Sequence, residues 1–311
     1  MARRIILDCD PGHDDAVALV LAHGSPALDL LAVTTVGGNQ TLDKVTHNAL
    51  SVATVLGLNG VPVAAGCDRP LVQPLRTAEH VHGSSGLDGV DLPPASVQPD
   101  PRHAVDLIVE LVMSHDPGTI TLIPTGPLTN IAMAVRREPR IVGRVAEVVL
   151  MGGGRATGNA TAVAEFNIWT DPEAAHIVFG ESWRVVMIGL DLTHQALATP
   201  EVLTRLAAIE TGSGRLVEQA LTALGRAYRA NRGFPHPPVH DACAVGYVID
   251  PGLVTTRRAR VEVELTGRHT RGMTVVDTRP DAPNPGTTLV ATQLDRQRFW
   301  DVVIETVRRC G

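Results

Sequence analysis

The sequence predicts an α/β fold, a single domain over residues 1–311 with a mostly parallel central sheet flanked by helices and a C-terminal β-hairpin. Three observations predict it. Continuous apolar runs of strand length alternate with helix-patterned segments through the first two thirds of the chain, as expected of a parallel sheet buried on both faces. Polar residues gather where those runs end, at the carboxyl ends of strands, where open α/β sheets put their ligands. Near the C-terminus the pattern changes to an alternation of apolar and charged residues with turn signals between.

In chain order, "RRIILDC" (3–9) reads as the first strand and "DDAVALVLAH" (14–23) as a helix whose acidic first turn suits the helix dipole. "LDLLAVTTVGGN" (28–39) is a strand ending in glycines, followed by the helix "LDKVTHNALSVATVLG". Residues 61–101 are rich in Pro and Gly and form the longest irregular stretch; so long a loop in a compact domain is often a functional lid. "TITLIPTG" is a strand leading into the helix "PLTNIAMAVRR". "VAEVVLMGGG" is a strand ending in a glycine loop, "DPEAAHIVFG" a helix, and "WRVVMIGLD" the next strand. "ARVEVELTG" and "GMTVVDTR" read as the hairpin, and "TLVATQLD" as a last strand before a closing helix. Asp10, Asn39, Thr125, Met151 and Asp191 then all fall at carboxyl ends of strands.

Composition narrows the partners. The chain has 311 residues, 44% hydrophobic and 19% charged, which is ample for a large core. A net charge of −6, only 3% aromatic residues and no basic block argue against nucleic acid. Lys44 is the single lysine, so lysine chemistry is excluded almost everywhere. "MARRIILDCD" has only three apolar residues after its arginines, well short of the roughly 7–15 of a secretory signal. No run approaches the roughly 18 apolar residues of a membrane span. Cys9, Cys67, Cys243 and Cys310 are scattered, without a CxxC pair. Reduced thiols in a cytoplasmic enzyme are the expectation.

Four aspartates, Asp8, Asp10, Asp14 and Asp15, fall within eight positions. Two acidic residues opening a helix are ordinarily caps. Asp10 beside them goes beyond capping, because like charges that close must be separated, protonated or neutralised. Adjacent helical residues point about 100° apart, so Asp14 and Asp15 are expected to serve different ligands. A hard cation would relieve the repulsion, and an all-oxygen donor set suits Ca²⁺ or Mg²⁺. Asp10, Asp15, a backbone carbonyl and a further carboxylate would form such a set. His240 and Asp241, which open another helix in "PVHDACAVGYVIDP", supply that carboxylate. Glu165 and Asn167 flank Phe166 and would face one side if that segment were extended.

"DCDPGHDDAVAL", "VTTVGGN", "HGSSGLDG", "LIPTGPLTNIA", "MGGG", "AEFNIWTDPEAA" and "VHDACAVGYVIDP" occur in this order between residue 5 and about residue 252. Together they resemble the nucleoside hydrolases, the inosine–uridine-preferring family. The resemblance implies hydrolysis of the N-glycosidic bond of ribonucleosides with Ca²⁺ bound at the ribose, in a homodimer or homotetramer that needs neither nucleic acid nor membrane. It implies side-chain oxygens of Asp10, Asp15 and Asp241 and the Thr125 carbonyl on calcium. Asp14, Asn39, Glu165 and Asn167 would bind ribose hydroxyls, and Met151 would line the sugar pocket. Cleaving a ribosyl C–N bond builds positive charge on the sugar, which carboxylates stabilise. Asp10 would accept a proton from water. His240, an imidazole titrating near neutrality, would protonate the leaving base. His82 on the lid is a second candidate for assisting the base. Tyr228 is the first candidate to stack on it, ahead of Phe234 and Trp169.

Three rival readings stand beside this one. A haloacid-dehalogenase-type phosphatase also uses D-x-D after its first strand, which Asp8-Cys9-Asp10 fits formally. A nucleoside phosphorylase needs phosphate anchoring that an acidic pocket opposes. A non-catalytic nucleoside-binding protein would release no ribose.

Overall fold

The structure, a computed structural model, describes residues 2–231, 233–282 and 286–310. Its elements in chain order are β1 (Arg3–Cys9), α1 (His13–Gly24), β2 (Leu28–Thr35), α2 (Leu42–Val55), β3 (Val63–Ala65), α3 (Glu79–His82), α4 (Ala104–Ser114), β4 (Ile120–Pro124) and α5 (Thr129–Arg137). They continue with β5 (Val145–Met151), α6 (Phe166–Thr170), α7 (Pro172–Gly180), β6 (Val185–Ile188), α8 (Leu190–Thr193), α9 (Pro200–Ala207) and α10 (Gly212–Asn231). α11 (Asp241–Ile249), β7 (Val254–Val263), β8 (Thr274–Asp277), β9 (Thr288–Leu294) and α12 (Arg296–Arg309) close the chain.

Among the described residues nine strands join one sheet in the order β3-β2-β1-β4-β5-β6-β9-β7-β8. Pairing is parallel from β3 across to β9. β7 then runs antiparallel to both β9 and β8. The expected hairpin is therefore present, but it is joined to the main sheet through β9. β7 also begins at Val254, earlier than its alternating pattern suggests, because β9 gives that segment a partner.

The apolar strand runs are explained by burial on two faces. Ile5 and Leu7 point into a core built from α1, α2, α10, α11 and α12, while Ile6 points into a second one with α4, α5 and α7. This alternation along β1 is the period-2 geometry of a strand covered on both sides. The 61–101 stretch is mostly irregular as expected, with β3 and α3 embedded in it. The parallel order brings the carboxyl ends of β1, β2, β4, β5 and β6 to one rim. β1 leads into α1 through Pro11-Gly12, β4 into α5 through Thr125–Leu128, and β6 into α8 through Gly189. All the chemistry described below stands on that rim.

Candidate active site

Asp10 is fully buried just past the end of β1. Its Oδ2 accepts the backbone N–H of Asn39 at 2.6 Å, while its Oδ1 is enclosed without a hydrogen-bond partner. Asp15 does cap α1, with Oδ2 accepting the Gly12 N–H at 3.1 Å. The same oxygen accepts Asn39 Nδ2 at 3.3 Å, and Oδ1 accepts the Thr125 hydroxyl at 2.9 Å. Asp14 Oδ2 accepts the His240 N–H at 3.2 Å, which ties the start of α1 to the start of α11.

Asp14, Asp15 and Asp241 each bring a carboxylate oxygen to within 4.8 Å of the others. The expected divergence of Asp14 and Asp15 is thus smaller than the 100° helical step implies, because each carboxylate can swing back toward a shared point. Burial, followed by the charge of Asp15, pushes the Asp10 carboxyl well above its ordinary range. Burial and then Asp14 do the same to Asp241. Asp15 is pushed up to about 7 by burial first and Asp14 second. Buried carboxylates that raise one another's pKa, with one enclosed oxygen left unpaired, form a donor set that a hard cation would stabilise.

Opposite the acids lies the α6 segment. Glu165 is its N-cap, accepting the N–H groups of Asn167 at 2.9 Å and Ile168 at 3.2 Å as well as that of Gly153 at 2.9 Å. Burial still raises its carboxyl to about 7. The extended geometry expected for 165–167 is not what forms: Asn167 sits in the first turn of a five-residue helix. Both side chains nevertheless line the same cleft. Asn167 Nδ2 donates to the Thr125 carbonyl at 2.7 Å and to the Met151 carbonyl at 3.1 Å, bridging the ends of β4 and β5.

The cleft is open to solvent and has a cavity volume of about 60 Å³. Asp14, Asn39, His82, Thr125, Met151, Glu165, Asn167, Tyr228, His240 and Asp241 all line it. Asp10 and Asp15 lie beneath that lining, linked to it through Asn39 and Thr125. No Lys or Arg faces the cleft among the described residues. Asn159, Ala78, His80, Val81 and Phe166 complete its wall, and none of them stands out in the sequence as a site residue. Asn159 carries one faint signal, an Asn in a Gly/Ala/Thr loop after β5; its Oδ1 accepts the Phe166 N–H at 2.8 Å.

His240 adjoins the acid cluster through its backbone N–H on Asp14, and its ring is held by two hydroxyls. Its Nδ1 meets the Thr193 hydroxyl at 2.8 Å and its Nε2 the Tyr228 hydroxyl at 2.7 Å. Tyr228 therefore has a polar role in addition to any stacking by its ring. Phe234 packs against the Tyr228 ring edge-on at 5.8 Å between centroids. Trp169 is turned to Arg76, whose guanidinium lies 5.1 Å from its ring.

His82 is buried on the short α3. Its Nδ1 accepts the His13 N–H at 3.2 Å and faces His13 Nδ1 at 3.1 Å. Burial depresses its pKa to about 3, so it is neutral at physiological pH. A neutral ring with Nδ1 accepting carries its proton on Nε2. Below it, α2 and the residues just before it hold the 83–88 segment: Gln40 Nε2 donates to the Gly83 carbonyl, Lys44 Nζ to that of Ser84 and Asn48 Nδ2 to that of Ser85.

Asp8 separates the chemistry of this rim from D-x-D phosphatases. It is buried in β1, and its Oδ1 accepts Thr34 Oγ1 at 2.6 Å and Asn130 Nδ2 at 2.8 Å. Its carboxylate is thus engaged by β2 and α5 inside the sheet, and it is not one of the carboxylates that converge in the acid cluster.

The family model described as inosine-uridine preferring nucleoside hydrolase matches residues 5–301, which takes in every element of the rim. The chain belongs to this family. It is 58% identical to the inosine-uridine preferring nucleoside hydrolase of Crithidia fasciculata over 100% of this chain and 99% of that one. It is 44% identical to the pyrimidine-specific ribonucleoside hydrolase RihB of Escherichia coli, over 98% and 97% of the two chains. The solved purine-preferring ribonucleoside hydrolase from Gardnerella vaginalis superimposes with a TM-score of 0.92 at 32% identity, covering 99% of both chains. This nucleoside hydrolase is accordingly an enzyme, and its reaction is ribonucleoside hydrolysis. Among its described residues no helix is long and apolar enough to cross a membrane.

Proposed function

We propose that the enzyme cleaves the N-glycosidic bond of ribonucleosides with Ca²⁺ held by Asp10, Asp15, Asp241 and the Thr125 carbonyl. The observation that carries this reading is one cleft lined by residues of a buried, mutually repelling carboxylate cluster together with His240 and Tyr228. The donor set is all oxygen: Asp15 and Asp241 converge with Asp14, and Asp10, outside that trio, has an Oδ1 without a hydrogen-bond partner. A bound Ca²⁺ would supply a Lewis acid that lowers the pKa of a water and orients the ribose diol.

The chain's own groups do the rest. Asp10, enclosed beside the metal position, takes the proton of the attacking water; a cation beside it brings its raised pKa back down. Asp14 and Asn39 hold ribose hydroxyls on one side, and Glu165 and Asn167 on the other. Met151 closes the floor of the sugar site. The carboxylates then face positive charge as it develops on the ribose, the electrostatic arrangement that favours an oxocarbenium-like transition state.

His240 protonates the departing base, and Tyr228 contacts both the ring of His240 and the base site. A His82 held neutral hydrogen-bonds the substrate and leaves proton donation to His240. The relatives' names span inosine–uridine, pyrimidine and purine preferences. Base choice therefore belongs to the wall at Tyr228, His80 and Val81, with Phe234 packed against Tyr228, while the sugar site stays common. One continuous sheet supports reading residues 1–311 as one domain. A cytoplasmic homodimer or homotetramer acting in nucleoside salvage is the assembly we propose, to be tested by light scattering.

Parallel assays of ribose release from inosine, uridine, cytidine and adenosine, before and after chelation and Ca²⁺ replacement, test the reading. Ribose released without phosphate, lost on chelation and restored by Ca²⁺, is the expected result. Full activity in a stoichiometrically metal-free preparation would overturn the calcium assignment.

A further inference from the structure

We propose that Thr193 is a positioning residue that holds the His240 ring so that Nε2, and only Nε2, works on the leaving base; this rests on the reading of His240 as the acid. Thr193 is fully buried at the end of α8, and its hydroxyl meets His240 Nδ1 at 2.8 Å. Thr193 is not one of the residues lining the cleft, whereas Tyr228 is, so the ring is anchored through Nδ1 and directs Nε2 to a cleft residue, the Tyr228 hydroxyl 2.7 Å away. A histidine with one nitrogen held by a fixed partner has its ring orientation set by that partner.

Thr193 stands on a rigid base. Gln195 Nε2 donates to the carbonyls of Asp191 and Thr292 at 2.8 and 2.9 Å, and its Oε1 accepts the Leu294 N–H at 3.1 Å. These bonds lock the α8 turn to β9. The chain beyond is tied to the approach to His240 by two backbone bonds, Val239 N–H to the Ala196 carbonyl at 3.0 Å and Ala198 N–H to that of Pro237 at 2.9 Å. The distance from Thr193 to His240 is therefore set by backbone on both sides. The His194 ring packs edge-on against His240 at 5.8 Å between centroids and limits rotation from a third direction.

Thr193→Val keeps the shape and removes the hydroxyl, and Thr193→Ser restores it. The kinetic test compares inosine, which needs a proton on its leaving group, with p-nitrophenyl riboside, which leaves without one. Partners that orient a functional histidine are typically worth about 10–100-fold. Thr193→Val should lose that much kcat/KM on inosine, chiefly in kcat, and less than about threefold on p-nitrophenyl riboside. Thr193→Ser should recover most of the inosine rate. In ¹⁵N NMR the His240 ring nitrogens should shift in Thr193→Val and return in Thr193→Ser. Should Thr193→Val fold poorly, Thr193→Ala serves for the same comparison.

His240→Ala is run alongside. If it reduces both substrates equally, the acid assignment itself fails. If it discriminates while Thr193→Val reduces both equally, or leaves inosine untouched, then His240 stands and the positioning role of Thr193 is overturned.

Discussion

A Cβ placed on Gly38 would stand 2.0 Å from Oδ2 of Asp10. The backbone after β2 thus approaches the catalytic carboxylate more closely than any side chain allows, and this lets Asn39 N–H reach the same oxygen at 2.6 Å. Gly126, after β4, closes the other side, since its Cβ would come 2.7 Å from Asp10 Oδ1. Two glycines on two different strand ends therefore form the walls of one carboxylate.

Gly38→Ala should accordingly misplace Asp10, and an error of about 1 Å at a reacting group can cost about 10²-fold. We expect at least that loss in kcat. Gly180, at the end of α7, is the control: a Cβ added there would meet nothing within 4 Å, so Gly180→Ala should keep full activity. It should also stabilise the fold by about 0.4–1 kcal/mol through the unfolded state. Equal activity in Gly38→Ala and Gly180→Ala would show that Asp10 tolerates displacement.

Metal removal should make stability fall as pH rises. Asp15 is held at about 7 in the folded protein, and Asp10 and Asp241 are held well above their ordinary range. Between the ordinary carboxylate pKa near 4 and these raised values, the folded state binds protons that the unfolded state has lost. Stability therefore decreases through that window and levels off only above the folded pKa. Melting curves in chelator at pH 5, 6, 7 and 8 should show a falling Tm. Ca²⁺ should raise Tm most at pH 8, where the carboxylates are charged. A residual slope should persist with Ca²⁺, because burial also holds Asp8 and Glu165 at about 7. A Tm independent of pH in chelator would contradict the repulsion inferred for the cluster.

Sugar recognition gives a sharper contrast. Asp14, Asn39, Glu165 and Asn167 are all buried polar groups in one cleft. A site built to bind a hydroxyl rejects the analogue lacking it by as much as about 10⁴–10⁵. We expect 2′-deoxyinosine to fall at least about 10²-fold below inosine in kcat/KM. Comparable values for the two would remove the 2′-hydroxyl contact from Asp14 and the metal position.

Much of this site is legible in the sequence because the rim of a parallel sheet is a local property. Asp10, Asn39, Thr125 and Met151 each end an apolar run, so their clustering follows from the topology alone. What the sequence hides depends on partners distant along the chain. Thr193 and His240 are 47 residues apart, and nothing in "GLDLTHQ" marks the threonine as a contact. His13 reads as one more residue of an acidic turn until α3 brings His82 onto it across 69 positions. The 165–167 segment misleads for another reason. Glu is a weak N-cap by preference, so the start of α6 carries no signature, and the helix ends after five residues at Asp171, which caps α7 in turn.

The last prediction separates Asp8 from Asp10, two positions apart in sequence, one inside β1 and one just past its end, with separate sets of partners. Asp8 Oδ1 accepts from Thr34 and Asn130, and Asn130 also donates to the Thr35 carbonyl at 2.9 Å and accepts the Cys67 N–H at 2.8 Å. This network ties β1, β2, α5 and the end of β3 together, and none of its bonds reaches the acid cluster. Asp8→Asn keeps the accepting oxygen but puts an amide where Oδ2 is buried without a partner. The cost should be about 1–3 kcal/mol of stability. Per folded molecule, ribose release should stay within a few-fold of the parent. Asp10→Asn has the opposite balance. It too puts an amide where an oxygen, Oδ1, is buried without a partner, but it also removes a mutually repelling carboxyl, so the metal-free protein should lose less stability than Asp8→Asn does. Turnover should fall by at least the about 10²–10⁴-fold of a lost general base. The measurements are kcat on inosine and Tm in chelator for both variants. A folded Asp8→Asn as inactive as Asp10→Asn would place chemistry inside β1 and reopen the D-x-D reading.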